Sequence, residues 1–414
     1  MVEKVHYISA DEIQTKYTHI LDNCLDGEIY VVKGFLPHVG IADRLYRLVL
    51  SSIRNALSSP DAAALESEGF QFMHKYLTAK EVASLTLAVD RIMTKSIPML
   101  TRQILSIGSA DNKPVWVARR PFLRFHAPYS HSYAYSKKKS ALKRRYGSVG
   151  FGGLGPHRDV WHSEPPETVN LWSALGPVKK GNGLTLFPED YTRSFEYIHR
   201  RSITRSQSPG KGVNFELESG DAILFSGSQL HASELNITDE TRIVFGTRIS
   251  LSNPKKTCSH PARFCKVRTG SPISFLKLNE LFRFVARVQY RLFPAKQFAH
   301  YEYIHAGIKI CDVEREDLGP FKERKDPSAS LSSLENNVPR IESKEKILIK
   351  VDGLEGNEVW QLDRACPHCG SDLSLGKYAD GHIHCPWHNL PIDIRTGKSP
   401  CREIRPISTK RLNN

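Results

Sequence analysis

Two cysteines and two histidines near the C-terminus have the types and spacing of ligands to a redox metal centre. One residue separates Cys366 from His368, sixteen residues separate His368 from Cys385, and two residues separate Cys385 from His388. Such a set can hold a [2Fe–2S] cluster, with both thiolates on one iron and both imidazoles on the other. The cluster would carry one electron at a time. A structural zinc site is the alternative, because the same pairs also suit tetrahedral zinc.

The residues around these ligands decide between the two kinds of metal. Residues 373–376 follow the first ligand pair, residues 381–384 lead into the second, and residues 393–397 come after it. This run resembles Rieske [2Fe–2S] domains, in which two ligand loops lie at the tips of a small antiparallel β-fold. The resemblance implies that Cys366, His368, Cys385 and His388 hold the cluster.

Two further cysteines, Cys369 and Cys401, lie close to these ligands in the sequence. In high-potential respiratory Rieske proteins, a cysteine in each ligand loop forms a disulfide across the cluster. Here Trp387 stands where that pattern needs the second cysteine. The resemblance is therefore to the ferredoxin and oxygenase type, and we predict that Cys369 and Cys401 are buried hydrophobic side chains rather than ligands.

A second candidate metal site consists of His157, Asp159 and the distant His231. His157 and Asp159 are two residues apart, and side chains two apart on an extended segment point the same way. Residues 220–225 read as a strand that leads through a short loop to His231. Two imidazoles and one carboxylate can occupy one face of an iron and leave the opposite face open for O2 and a co-substrate.

Arg242 follows the last of these ligands by eleven residues and could form a bidentate pair with the distal carboxylate of 2-oxoglutarate. Two alternatives stay open. His162 and Glu164 form a competing metal-binding pair, although His157 is preferred because it directly follows Gly-Pro and its carboxylate is an aspartate. Arg248 competes with Arg242 for the carboxylate.

Residues 29–251 resemble the Fe(II)/2-oxoglutarate-dependent dioxygenases, in particular the phytanoyl-CoA dioxygenase-like branch. The matching pieces are His157-x-Asp159 followed by Trp161, Asn170-Leu171-Trp172, Gly220 to Phe225, His231, Asn236 and Arg242. The resemblance implies that His157, Asp159 and His231 are catalytic iron ligands and that Arg242 anchors 2-oxoglutarate. Ordinary enzymes of this class draw their electrons from the co-substrate and the substrate, so a tethered Rieske domain is unexpected.

The hydrophobic pattern predicts a mainly β chain with some α-helix, in which short strands follow two amphipathic helices. Short strands separated by turn signals favour a double-stranded β-helix, or jelly roll, with flanking helices. We predict this domain at residues 1–265, a helical extension and linker at 266–337, and a small all-β Rieske domain at 338–414. The predicted helices are 41–53, 78–92 and 275–292, and the predicted strands are 28–36, 115–117, 122–125, 168–175, 184–187, 222–225 and 243–250.

Composition and charge limit the partners. The chain has 414 residues and a formal net charge of +14, which favours an anionic partner through long-range attraction. Nucleic-acid recognition motifs are absent from the sequence, and no apolar run approaches the ~20 residues of a transmembrane helix. The N-terminus does not read as a secretory signal and the cysteines show no disulfide framework, so we expect a cytoplasmic protein.

These features predict an oxidoreductase. We expect a non-haem iron dioxygenase that hydroxylates or otherwise oxidises an anionic small molecule, free or on an acidic carrier protein, with O2 and 2-oxoglutarate. The Rieske cluster would supply electrons to the iron, itself reduced by a ferredoxin or reductase. One alternative is a Rieske-fed iron oxygenase that does not use 2-oxoglutarate, in which Arg242 binds substrate. The other is a non-catalytic electron-transfer or sensing protein.

Overall fold

In the N-terminal third of the chain, the described residues form five α-helices. The computed structural model describes residues 4–13, 19–55, 57, 59–78, 81–82, 85, 115–118, 122–136, 154–162, 164–198, 202–250, 264–267, 300–305, 308–315, 334–353 and 356–412. The α-helices are α1 (Ile20–Leu25), α2 (Phe35–His38), α3 (Ala42–Arg54), α4 (Ser59–Glu68) and α5 (Tyr129–Ser136). Helix α3 confirms the first amphipathic helix, because Leu45, Val49 and Ile53 recur every four residues and are buried.

Fourteen of the described strands precede residue 316. They are β1 (Val5–Ser9), β2 (Ile29–Lys33), β3 (Val115–Ala118), β4 (Phe122–His126), β5 (Thr168–Ala174), β6 (Leu184–Leu186), β7 (Glu196–Ile198), β8 (Val213–Asn214), β9 (Ala222–Ser226), β10 (His231–Ser233), β11 (Arg242–Ser250), β12 (Phe264–Val267), β13 (His300–His305) and β14 (Ile308–Arg315). The largest sheet has the order β1-β2-β9-β5-β11-β3-β12, with β4 also paired to β11. A second sheet, β10-β6-β8, lies against it. The mainly β jelly roll with flanking helices is confirmed.

Side-chain alternation divides the large sheet into two faces. On strand β5, Val169 and Leu171 join the cluster that packs under the helices, whereas Trp172 faces the second sheet. Strand β11 follows the same rule, since Ile243 and Phe245 pack under the helices. The even-numbered residues of β11 therefore point into the jelly roll, where the functional side chains lie.

Strands β13 and β14 form an antiparallel hairpin, and β14 pairs in parallel with β7 of the jelly roll. These strands lie within the range that the sequence assigns to a helical extension and linker, so this part of the range is β-structure attached to the jelly roll. The helix predicted at 275–292 lies outside the described residues. Thr78 and Glu81 form the predicted capping box, and most of the helix predicted to follow it lies outside them as well.

The C-terminal domain is built from two small antiparallel sheets. Its strands are β15 (Arg340–Ile341), β16 (Lys346–Gly353), β17 (Gly356–Asp363), β18 (Lys377–Ala379), β19 (His382–His384), β20 (Pro391–Asp393) and β21 (Thr409–Leu412). The sheet orders are β15-β16-β17-β21 and β18-β19-β20. One hydrophobic cluster includes Cys366, Trp387 and Leu390 of this domain together with Trp161 and Leu230 of the jelly roll. The two domains therefore share a core.

None of the helices in the part of the chain that the structure describes has the length and apolar character needed to span a bilayer.

Candidate functional site

His157 and His231 are direct neighbours across two antiparallel segments. The backbone N–H of each residue donates to the carbonyl of the other, and both distances are 2.9 Å. In such a hydrogen-bonded pair the Cα atoms lie about 5.5 Å apart and the side chains share one face. The ring centroids are accordingly 4.2 Å apart. Backbone pairing brings together two histidines that are 74 residues apart in the sequence.

Each imidazole is oriented by a hydrogen bond from its Nδ1. His157 Nδ1 donates to the carbonyl of Gly155 at 2.8 Å, and His231 Nδ1 donates to the carbonyl of Gln229 at 2.9 Å. Because a carbonyl oxygen only accepts, each Nδ1 must carry the proton, and each Nε2 keeps its lone pair. Metal-binding histidines are commonly fixed in this way.

The carboxylate of Asp159 completes the group, and its two oxygens face different partners. Oδ2 accepts hydrogen bonds from Asn170 Nδ2 at 2.8 Å and from Arg248 Nη2 at 2.9 Å. Oδ1 lies 3.8 Å from Nε2 of both His157 and His231. The protein thus holds one oxygen and leaves the other with two imidazole nitrogens, a set that fits a metal ion on one face.

The protonation states suit metal binding, which needs neutral imidazoles and an ionised carboxylate. Burial, with the neighbouring His231 and His162, lowers the pKa of His157 well below its ordinary value. Burial also lowers the pKa of His231, against the effect of Asp159. Burial alone would raise the pKa of Asp159, but the Arg248 guanidinium and the imidazoles outweigh it and lower that pKa.

Arg248 positions Asp159, which predicts a test. Replacing Arg248 with methionine should weaken Fe(II) binding about 10- to 100-fold, the usual cost of removing a group that orients a metal ligand. Fe(II) affinity can be measured by competition with a chelator. Lys33→Met is the matched control, because Lys33 contacts the carboxylate of Asp221 and neither residue belongs to the three-ligand group. Equal losses in both variants would contradict a role for Arg248 at the metal site.

The competing pair occupies different positions. His162 stacks on His157, with ring centroids 4.9 Å apart. Glu164 Oε1 lies 3.7 Å from Arg248 Nη1. Among the described residues, His157, Asp159 and His231 form a group whose ligand atoms lie within 4.8 Å of one another, and His162 and Glu164 belong to no such group.

Arg242, at the start of β11, reaches into the interior of the jelly roll. Its Nη1 donates to the carbonyls of Asn182 and Gly183 at 2.6 and 2.7 Å, and the guanidinium lies over the Trp172 ring at 5.4 Å. Its Nε is buried and has no hydrogen-bond partner among the described residues. Burial lowers the pKa of Arg242 to about 10, so the group is still charged at neutral pH.

The surroundings of Arg242 suit a carboxylate ligand. Gly183 precedes β6, which pairs with the strand of His231, so the guanidinium lies beside the metal-binding strand. A buried guanidinium with an unused N–H is a receptor for a carboxylate. Arg248, the competing arginine, is engaged with Asp159 and Glu164 instead.

A buried aspartate of β14 supports the segment that carries the metal ligands. Asp312 accepts from Trp161 Nε1 and from the backbone N–H of Phe195, both at 2.8 Å. Its Oδ2 lies 3.8 Å from Nε of Arg158, and both side chains are fully buried. Arg158 lies between His157 and Asp159 in the sequence, so the hairpin of β13 and β14 holds the ligand segment in place.

The four predicted cluster ligands meet in the C-terminal domain. Cys366, Cys385 and His388 are buried, and the rings of His368 and His388 lie 4.7 Å apart at 81°. Nδ1 of each histidine is buried without a hydrogen-bond partner in the described part of the chain. Burial and the neighbouring His388 lower the pKa of His368 to about 4. Two thiols and two imidazole nitrogens without partners in the described part of the chain fit a [2Fe–2S] cluster.

The two ligand loops are built alike. In each loop, the residue four positions after the cysteine donates its N–H to the cysteine carbonyl, at 2.8 Å for Gly370 to Cys366 and 2.9 Å for Asn389 to Cys385. Both residues have positive φ, 74° for Gly370 and 53° for Asn389. Glycine and asparagine are the residues that adopt this conformation most readily. Each loop therefore turns back on itself directly after its ligands.

Cys369 and Cys401 lie in different environments. Cys401 is buried, as the sequence predicts. Cys369 is half-buried, and its Sγ is 3.6 Å from Sγ of Cys385. Cys369 packs against the shared hydrophobic cluster, and its Sγ also lies within 4.8 Å of ligand atoms of both predicted pairs, so it faces the cluster pocket.

Two family models match the chain. Residues 130–244 match the phytanoyl-CoA dioxygenase (PhyH) family, and residues 328–409 match the Rieske [2Fe-2S] domain. The first range contains the three candidate iron ligands and Arg242, and the second contains all four cluster ligands. The Rieske match specifies a [2Fe–2S] cluster over zinc, and the PhyH match supports Fe(II) and 2-oxoglutarate as the other cofactors.

Individual proteins show more limited similarity. Over 49 residues the chain is 41% identical to the anthranilate 1,2-dioxygenase ferredoxin subunit of Burkholderia cepacia, covering 12% of this chain and 45% of that protein. The chain thus spans less than half the length of that relative. Among solved structures, the apo form of the non-heme monooxygenase ThoJ has 17% identity and a TM-score of 0.35, covering 61% of this chain and 90% of its own. EvdO2 from Micromonospora carbonacea var. aurantiaca complexed with 2-oxoglutarate has 15% identity and a TM-score of 0.27, with coverages of 40% and 68%.

Proposed function

We propose that this chain, with its PhyH-type and Rieske-type regions, is a non-haem iron oxygenase that oxidises an anionic small molecule with O2 and 2-oxoglutarate. The observation that carries the proposal is the position of Asp159 Oδ1, which lies 3.8 Å from Nε2 of both His157 and His231. Two imidazoles and one carboxylate on one side of a ferrous ion leave its other side for O2 and co-substrate. Bound there, the iron would supply O2 activation.

The residues around the site divide the remaining tasks. Asn170 and Arg248 hold Oδ2 of Asp159, so that this ligand binds through one oxygen and leaves positions for other ligands. Arg242 would bind the distal carboxylate of 2-oxoglutarate through its unused Nε–H. The aromatic ring of Trp172 under the guanidinium limits the access of water to this ion pair.

The Rieske region would keep the iron ferrous. Oxidation of 2-oxoglutarate to succinate and CO2 provides two electrons and the substrate provides two, so productive turnover with O2 needs no other donor. Cys366, His368, Cys385 and His388 would hold a cluster that supplies single electrons. A single electron is the amount needed to return a ferric ion to the ferrous state. A ferredoxin or flavin-containing reductase would then reduce the cluster again.

A second candidate function has support from the packing of the two domains. The shared hydrophobic core brings the Rieske loops against the jelly roll, as expected for a cluster that feeds the iron in every turnover. In that version no 2-oxoglutarate is consumed, and Arg242 binds an anionic group of the substrate.

Succinate separates the two functions. Enzyme loaded with Fe(II) and cluster should convert 2-oxoglutarate to succinate under O2, and addition of substrate should bring succinate and oxidised product to equal amounts. Candidate substrates are small phosphorylated or carboxylated molecules, because the chain carries a formal net charge of +14. Product formation that depends on a reductase and yields no succinate would establish the second function instead.

Arg242 gives a second test of co-substrate binding. Replacing Arg242 with glutamine should weaken anaerobic binding of 2-oxoglutarate to the Fe(II) enzyme about 10- to 100-fold, because hydrogen bonds to a charged group are lost. Calorimetric titration measures the change. Fe(II) affinity should stay the same, since Arg242 contacts carbonyls and not the metal ligands. Unchanged binding of 2-oxoglutarate would remove Arg242 from the co-substrate site.

A further inference from the structure

The Rieske loop that carries Cys385 and His388 contacts both segments that carry the iron-binding histidines. On one side, the backbone N–H of Leu235 donates to the carbonyl of His388 at 3.4 Å. Leu235 lies four residues beyond His231. Because an extended chain advances at most about 3.6 Å per residue, the Cα atoms of His231 and Leu235 are no more than ~14 Å apart.

On the other side, the loop reaches the segment of His157. A Cβ atom added to Gly155 would lie 3.2 Å from the ring of Trp387, so the backbone of Gly155 packs directly on that ring. The carbonyl of Gly155 accepts the hydrogen bond from His157 Nδ1. Trp387 also donates from Nε1 to the carbonyl of Gln207 at 3.3 Å. The residue next to His388 is therefore fixed against the iron-binding segment.

The other cluster histidine also faces the jelly roll. The ring of Tyr129 meets the ring of His368 edge-on, with centroids 5.5 Å apart at 86°. The backbone N–H of Tyr129 donates to the carbonyl of Asn236 at 2.8 Å, next to Leu235. Both cluster histidines thus contact the domain that holds the iron ligands, His368 through its ring and His388 through its backbone carbonyl, and His388 is only 6% exposed.

We propose that the electron passes from the cluster to the iron within one chain, through the contact between His388 and the strand segment of His231 to Leu235. The inference rests on the proposed function. His368 and His388 would hold the cluster iron that gives up one electron, and His157, Asp159 and His231 would hold the ferric ion that this electron reduces to the ferrous state. No bond forms or breaks and no proton moves. A one-electron carrier protein then reduces the cluster again.

Transfer within one chain makes the rate independent of protein concentration. A flash-excited deazaflavin can deliver one electron per chain to the cluster of anaerobic enzyme with ferric iron at the other site. Re-oxidation of the cluster, followed in its visible absorption, should be first order, with one rate constant over a hundredfold dilution. Protein without jelly-roll iron should keep the cluster reduced. A rate that rises in proportion to concentration would overturn the proposal.

A mixture of two variants tests transfer between chains. Cys366→Ser leaves a chain with the iron site only, and His231→Ala leaves a chain with the cluster only. Their equimolar mixture should show no re-oxidation on the time scale of the wild-type protein. Re-oxidation in the mixture at the wild-type rate would place the route between subunits. Iron and sulfide contents of each variant establish beforehand that one centre is present and the other missing.

The contact itself is tested by a pair of tryptophan variants. Trp387→Phe removes the hydrogen bond to Gln207 and part of the packing on Gly155, while Trp360→Phe removes a hydrogen bond to Glu358 within strand β17. The first change should slow re-oxidation about fivefold, the effect of one lost hydrogen bond. The second should leave the rate unchanged. Equal rates in both variants would show that Trp387 does not hold the loop of His388 in the position that electron transfer needs.

These measurements separate the inference from the proposed function. The flash experiment reads the oxidation state of the cluster and needs neither O2 nor substrate. If succinate forms normally while re-oxidation is bimolecular, the proposed function stands and transfer within the chain is wrong. If re-oxidation is first order and no succinate forms, the route stands and the use of 2-oxoglutarate is wrong.

Discussion

Replacing His231 with alanine should abolish iron binding at the jelly roll and leave the Rieske cluster in place. His231 supplies one of three ligand atoms, and a remaining imidazole and carboxylate bind a divalent ion much more weakly than the full set. We expect no detectable iron beyond the two ions of the cluster, and no formation of succinate. Total iron, acid-labile sulfide and the visible spectrum of the cluster, measured on one sample, show both results.

His162→Gln is the matched control for this prediction. The ring of His162 stacks on the ring of His157. His162 is nevertheless not a member of the three-ligand group of His157, Asp159 and His231. This variant should keep iron in the jelly-roll site. Loss of that iron in His162→Gln together with its retention in His231→Ala would show that the ligand set is wrong.

Replacing Asp312 with asparagine should lower the free energy of unfolding by about 3 to 5 kcal/mol. The substitution removes the negative charge and leaves the guanidinium of Arg158 buried without an opposite charge at 3.8 Å, and an uncompensated buried charge costs this much. Urea denaturation followed by tryptophan fluorescence measures the change. Fe(II) affinity should fall as well, because Arg158 separates His157 from Asp159 in the sequence.

A partly exposed ion pair provides the comparison for Asp312. Lys346 Nζ lies 2.6 Å from Asp363 Oδ1, and about a third of each side chain is exposed. Asp363→Asn should therefore change the free energy of unfolding by no more than about 1 kcal/mol. A similar small change for Asp312→Asn would mean that the charge of Arg158 is compensated by the carbonyls of Asp190 and Arg193, to which it donates.

The sequence predicts most of the local structure of the site. Strand β5 (Thr168–Ala174) and strand β9 (Ala222–Ser226) coincide within one residue with the segments 168–175 and 222–225. Alternating apolar residues are a local signal, and so is the short spacing of the cluster ligands. The first and last iron ligands, His157 and His231, are 74 residues apart in the sequence. The distant His231 could be assigned to the same site only through the family resemblance.

The roles that the sequence did not reveal depend on contacts between residues that are far apart in the chain. Nothing near Arg248 or Asp312 in the sequence indicates that they contact Asp159, Trp161 or Arg158, because these contacts arise only when distant strands pair. At position 387 the sequence shows only that the second cysteine of the high-potential Rieske pattern is replaced by tryptophan. Its packing on Gly155 depends on how two domains dock, and no local pattern encodes that arrangement.

The reciprocal backbone hydrogen bonds between His157 and His231 imply that the metal site is assembled before a metal arrives. Neither bond involves an imidazole nitrogen or a carboxylate, so removing the ion leaves them intact. The apo chain should therefore stay folded under chelation and take up ferrous ion without a slow refolding phase, unlike zinc fingers, whose folding depends on the metal. In a cell short of iron, the folded apo-protein would accumulate, and it would become active when ferrous ion is available.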